Sequence, residues 1–135
     1  MASLDREFRL NPSVEIIKRQ RREIFECEYT IHHEINDTQQ SCEHINGLLN
    51  QLKLLYKFHF MYEEQLLEEL NVQIAAEQKN MHEMFLKSID QLKTENNQCH
   101  TPSYVYDVIK LRLDFISNMN NETKTLCDFI SNNFG

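Results

Sequence analysis

The sequence predicts an all-α protein, an up-down-up-down antiparallel four-helix bundle, and three observations carry that expectation. Apolar residues recur at spacings of three and four through most of the 135 residues, the period of helices that each bury one face. Only two Gly and two Pro occur, too few turn-formers for a chain of many short strands. The polar breaks that do occur fit three short connections, which make neighbouring helices antiparallel. The length fits a single domain over 1–135, long enough for one core and too short for two.

The first helix is expected at 12–36. Asn11 reads as its N-cap and Pro12 as its first helical residue, where a missing N–H costs nothing. Its buried seam runs Val14, Ile17, Arg21, Ile24, Glu28, Ile31, Ile35. The second helix is expected at 38–69, capped by Asp37 or Thr38. Its seam is Ile45, Leu48, Leu52, Leu55, His59, Tyr62 with Glu63, Leu66 and Leu70, and Gly47 within it suggests a close helix approach. After a break at Asn71 the third helix, 73–94, presents Ile74, Gln78, His82, Phe85, Ile89 and Leu92. Thr101-Pro102 repeats the cap-and-proline signal and starts the fourth, 102–132, with Val105, Ile109, Arg112, Ile116, Met119, Thr123, Leu126 and Ile130 inward.

Composition excludes several classes of function. A net charge of -7 and a pI near 5.3 leave no basic footprint for nucleic acid. The single basic run, Lys18-Arg19 with Arg21-Arg22, reads as a solvated helix face apart from Arg21, which falls on the seam. The charged start, with Asp5, Arg6, Glu7 and Arg9, lacks the apolar stretch of a secretory signal, and no apolar run is long enough to span a membrane. The expectation is a cytoplasmic protein. Cys27, Cys42, Cys99 and Cys127 have neither C-x-x-C spacing nor disulfide-scaffold density, so reduced structural thiols are expected. In that setting the glycosylation-like triplets at Asn36 and Asn121 carry no meaning.

Five polar residues fall on the apolar seams: Arg21, His59, Glu63, Gln78 and His82. Buried without partners they would be destabilising, so they must satisfy one another, bind something, or admit water. His59 and Glu63 are four apart and share a helix face, as do Gln78 and His82. That spacing suits metal ligation and a hydrogen-bonded pair equally well.

The segments His59-Phe60-Met61-Tyr62-Glu63 and Gln78-Lys79-Asn80-Met81-His82-Glu83-Met84-Phe85 resemble two helix motifs of the hemerythrin family, H-F-x-x-E and H-K-x-x-H-x-x-F. The resemblance implies a four-helix bundle; in the family the bundle holds two irons through five histidines and two bridging carboxylates and carries dioxygen. Against the family's E-H-K-x-L-F the chain offers Gln20-Arg21-Arg22-Glu23-Ile24-Phe25, with Arg21 at the ligand position. Against W-L-x-x-H-I-x-x-x-D it offers Phe115 to Lys124, with Met119 at the histidine and Lys124 at the aspartate. The retained metal-ligand positions are His59, Glu63 and His82; the substituted ones are Arg21, Gln78, Met119 and Lys124. The charge pattern suggests that the Arg21 guanidinium replaces metal charge by pairing with Glu63.

The other polar features are weaker. His32-His33-Glu34 and His44 read as surface or capping residues, and His100 beside Cys99 is too little for a zinc site. No histidine follows a glutamate by three residues, which disfavours ferritin-like di-iron enzymes. Gly-rich phosphate loops, G-x-S-x-G and H-E-x-x-H are absent. The expectation is therefore a non-enzymatic, metal-free bundle acting through an unknown protein partner or small ligand. One alternative is a protein that binds iron or zinc through His59, Glu63 and His82, and another is an unrelated four-helix interaction module.

Overall fold

The computed structural model describes residues 2–69, 76–93 and 98–134, with side chains described from Val14 to Met119 in those ranges and at Leu126. It contains four helices: α1 (Ala2–Ile35), α2 (Cys42–Glu69), α3 (Ala76–Leu92) and α4 (Pro102–Phe134). Each packs on its neighbour in sequence, α4 closes on α1, and no diagonal pair meets among the described residues. This is the four-helix bundle that the apolar period predicts. None of the helices is long and apolar enough, among the described residues, to cross a membrane.

The helix ends show where local chemistry overrode the expected boundaries. α1 begins ten residues earlier than Pro12, so Asn11 is not a cap and Pro12 lies inside the helix. Leu4, Arg6, Glu7, Arg9 and Leu10 are good helix formers, and the helix runs on through Pro12 despite a lost i→i−4 bond and a ring clash that together cost about 3 kcal/mol. α2 begins at Cys42, not 38, because Ser41 is the cap: its Oγ accepts from the His44 N–H at 3.1 Å. Asp37 instead folds the loop back, its Oδ1 accepting from the Gln39 N–H at 3.0 Å. The cap at Thr101 forms as expected, with Thr101 Oγ1 accepting from the Tyr104 N–H at 3.3 Å and Pro102 opening α4.

Ile45, Leu52, His59, Glu63 and Leu66 on α2 and Met119 and Leu126 on α4 are buried as expected, but at other positions of both helices the buried stripe is rotated by one residue. Leu49 and Tyr56 are buried where Leu48 and Leu55 are only partly so, and Tyr104, Val108, Leu111 and Phe115 replace Val105, Ile109, Arg112 and Ile116. Both helices carry two adjacent apolar stripes, so period alone does not choose between them. Aromatic packing favours the observed one: Tyr56 stacks on Phe115 at 4.4 Å, and Phe85 meets Phe115 edge-on at 5.6 Å. Gly47 does not mark a close approach; it is exposed, and an added Cβ would meet nothing within 4 Å. Expected seam residues Leu70 and Ile74 lie outside the described residues, as do the side chains of Thr123 and Ile130.

The core comes in two parts. The larger cluster runs from Ile24 on α1 through Tyr56, Phe60, Phe85 and Phe115 to the loop end at Ile35, Cys42 and Cys99. The smaller contains Ile17, Leu66 and Leu126. Between them, by position along the helices, lies the layer of polar seam residues.

Cys42 and Cys99 are bonded in a disulfide across 57 residues, so the expectation of reduced thiols fails for this pair. Their distance in sequence hid them, since only the bundle brings the loop before α2 beside the loop before α4. Cys27 is free and buried, and burial raises its thiol pKa to about 11.

Candidate functional site

His59 and Glu63 stand one turn apart on α2, 0% and 4% exposed, and His82 on α3 is 4% exposed. Met119 on α4 is buried, and Arg21 and Gln78 are half-buried. The sequence thus identified a genuine buried polar layer. The Lys124 side chain lies outside the described residues.

His59 is held on both sides. Its Nδ1 lies 3.0 Å from Gln20 Oε1 on α1; an amide oxygen only accepts, so Nδ1 carries the hydrogen and donates. Its Nε2 lies 2.9 Å from Glu63 Oε1, yet neither of these two buried atoms completes a hydrogen bond. Gln20, which the motif comparison passed over in favour of Arg21, is the α1 residue that reaches the histidine. The Arg21 guanidinium sits over the Phe25 ring at 5.4 Å. The expected Arg21–Glu63 pair is not among the ion pairs of the described residues, and it is Gln20 that meets His59.

His82 turns elsewhere. Its ring stacks on Phe60 with centroids 3.9 Å apart, and its Nδ1 lies 3.3 Å from Glu64 Oε1 at the half-exposed rim. His59, Glu63 and His82 therefore do not bring their donor atoms together. Among the described residues, the one set of three or more His, Cys, Asp or Glu whose donors lie within 4.8 Å of one another is Cys42, Cys99 and His100.

A second buried polar group, missed as a site, lies two turns along α1. Glu28 accepts a 2.8 Å hydrogen bond at Oε2 from the Tyr56 hydroxyl. Glu28 Oε1 and Arg112 Nε are buried without hydrogen-bond partners, and both residues line a cavity of about 10 Å³ among Ile31, Leu49, Leu52 and Leu111. Burial raises the Glu28 pKa to about 8, opposed by the Tyr56 hydrogen bond and the Arg112 charge. Glu28 and Arg112 both stood on the expected seams. Nothing in the spacing linked them to Tyr56, since that contact depends on the register of α2.

At the loop end, His100 is clamped between two carbonyls, Nδ1 to Ile35 O at 2.8 Å and Nε2 to Gln40 O at 2.7 Å. Both oxygens only accept, an arrangement that favours the protonated ring, in which both nitrogens donate. The bonds to Gln40 and Ile35 accordingly raise its pKa. His33 and His44 are exposed, as expected of surface residues, and His32 is half-buried.

The chain is 30% identical over 95 residues to bacteriohemerythrins of two Pseudomonas aeruginosa strains and of Pseudomonas paraeruginosa. The match covers 69% of this chain and 60% of each of those proteins, so the chain spans about three-fifths of the length of the relatives it matches. No protein-family model and no solved structure matches it. Similarity to bacteriohemerythrins therefore accompanies a four-helix fold in which His59, Glu63 and His82 are buried but do not converge.

Proposed function

We propose that this protein is a hemerythrin-like bundle whose di-iron dioxygen site has been lost, a metal-free, non-enzymatic protein that acts by binding a protein partner or a small ligand. The observation that carries the reading is the internal wiring of the polar layer: His59 spans Gln20 and Glu63, while His82 faces Glu64. The residues at hand fit an iron pair poorly. Arginine is no ligand, the Met119 thioether is a soft donor for hard iron, and an amide stands at Gln78. The similarity to bacteriohemerythrins supports common ancestry over an unrelated four-helix module.

Elemental analysis of protein purified without chelators tests the reading. No stoichiometric metal is expected, and anaerobic loading with ferrous iron followed by air should produce no oxo-to-iron absorption band. Two irons per chain with such a band would overturn it.

One observation favours a second reading, in which the reduced set of His59, Glu63 and His82 binds iron or zinc for storage or sensing. His59 Nε2 and Glu63 Oε1 approach to 2.9 Å without a hydrogen bond, as two donors do when they share a cation. One metal per chain that is lost in Glu63→Ala would select this alternative.

A further inference from the structure

We propose that Cys42, Cys99 and His100 form a redox-gated zinc site: closed while the disulfide stands, and competent to hold one zinc ion once the bond is reduced. It is independent of the hemerythrin-like reading. Cys42 and His59 are both on α2, and their separation in sequence puts the two sites about 25 Å apart at 1.5 Å per residue.

The geometry suits both states. The cysteine Cα atoms are 5.6 Å apart, both cysteines are buried, and the sulfurs and an imidazole nitrogen lie within 4.8 Å of one another. Two thiolates on one tetrahedral zinc ion sit about 3.8 Å apart, from Zn–S bonds of about 2.3 Å. Opening the disulfide to that separation asks for side-chain rotation and little backbone movement.

The surroundings also supply what a zinc site needs around its ligands. The Cys99 N–H points at Cys42 Sγ at 3.2 Å, and such an N–H···S bond, if kept on reduction, favours the thiolate. A zinc-bound histidine normally donates its other ring N–H to a carbonyl or carboxylate, which fixes the ring. His100 already has a carbonyl at each nitrogen, so whichever nitrogen turns to the metal, the other remains anchored. Two sulfurs and one nitrogen leave a fourth tetrahedral position to water.

The chemistry balances with a dithiol as reductant. The dithiol gives up two electrons and two protons, becoming a cyclic disulfide, and Cys42 and Cys99 become thiols. Zinc then displaces one proton from each thiol, and His100 ligates through a ring nitrogen that carries no proton.

Cobalt(II) titration of the full-length protein tests this, because thiolate ligation gives intense absorption. Reduced protein should develop the thiolate-to-cobalt band to a one-to-one end point, with zinc displacing the cobalt, and oxidised protein should develop none. Cys42→Ser and Cys99→Ser should abolish the band. His100→Ala should weaken binding by about tenfold or more, and Cys27→Ser should leave the spectrum unchanged. Circular dichroism is read in the same samples. If reduction removes helicity, one equivalent of zinc should restore it. A reduced, helical protein without the band, a band that survives Cys42→Ser, or helicity that zinc does not restore would each overturn the proposal.

Discussion

Glu63 and Glu28 are both buried carboxyl groups in one bundle, but they meet different neighbours. Glu63 faces the His59 imidazole, with Oε1 2.9 Å from Nε2. Glu28 faces a phenol and a cavity walled by aliphatic side chains, and it keeps its proton to about pH 8. One carboxyl lies against a ring nitrogen, the other against a phenol and an aliphatic wall that favour its neutral form. Burial alone therefore does not say whether a seam glutamate is charged; the partner decides.

The largest expected effect comes from removing the Glu63 carboxyl. Glu63→Ala takes the carboxyl from beside His59 Nε2 and leaves a cavity in a dry layer, and should lower stability by about 2–5 kcal/mol, measured by urea unfolding. Glu63→Gln, which can donate to Nε2, should lose much less. A loss under about 1 kcal/mol in the alanine variant would mean that water reaches the layer and that the contrast with Glu28 is false.

Glu28 should announce itself through pH. Its folded pKa lies above the unfolded value of 4.5, so the folded chain holds an extra proton between those values. Its stabilising contribution is then complete below the unfolded pKa and is lost as pH rises toward about 8. Within that window the slope attributable to this group is at most about 1.4 kcal/mol per pH unit. Glu28→Gln, a near-isostere of the protonated acid, should match wild type at the acidic end and exceed it at the alkaline end. Parallel stability curves for the two proteins would refute a protonated Glu28.

Tyr56→Phe sharpens the same comparison more gently. It removes the donor to Glu28 Oε2 and should destabilise by about 1–3 kcal/mol. It should also push the Glu28 titration higher, because that hydrogen bond opposes the rise. The smallest effect has the opposite sign and serves as a control far from both carboxyls. Gly47→Ala meets open space on an exposed helix face and should stabilise by about 0.5–1 kcal/mol.

These contrasts also show what the chain disclosed in advance. Helix number, order and pairing followed from the apolar period, and the His59–Glu63–His82 layer from i,i+4 spacing and the motif resemblance. The register of α2 and α4 did not, because Leu48/Leu49 and Leu55/Tyr56 are both apolar pairs and only three-dimensional aromatic packing separates them. Tyr56 was lost as a partner for Glu28 through that one-residue rotation. Arg21 was placed inward by seam spacing and motif position and paired with Glu63 on charge, whereas its guanidinium lies over the Phe25 ring one turn away. The Cys42–Cys99 bond joins residues 57 apart, which no local pattern encodes.

The same bond has a topological consequence for how the molecule opens. It closes α2 and α3 into a covalent loop and leaves α1 and α4 as arms outside it. Either arm can peel away without breaking the loop, whereas the inner hairpin cannot separate fully at its stapled end. Native-state hydrogen exchange should accordingly find sub-global openings that release an arm while amides near the start of α2 stay protected, a hierarchy that a thiol reductant would level.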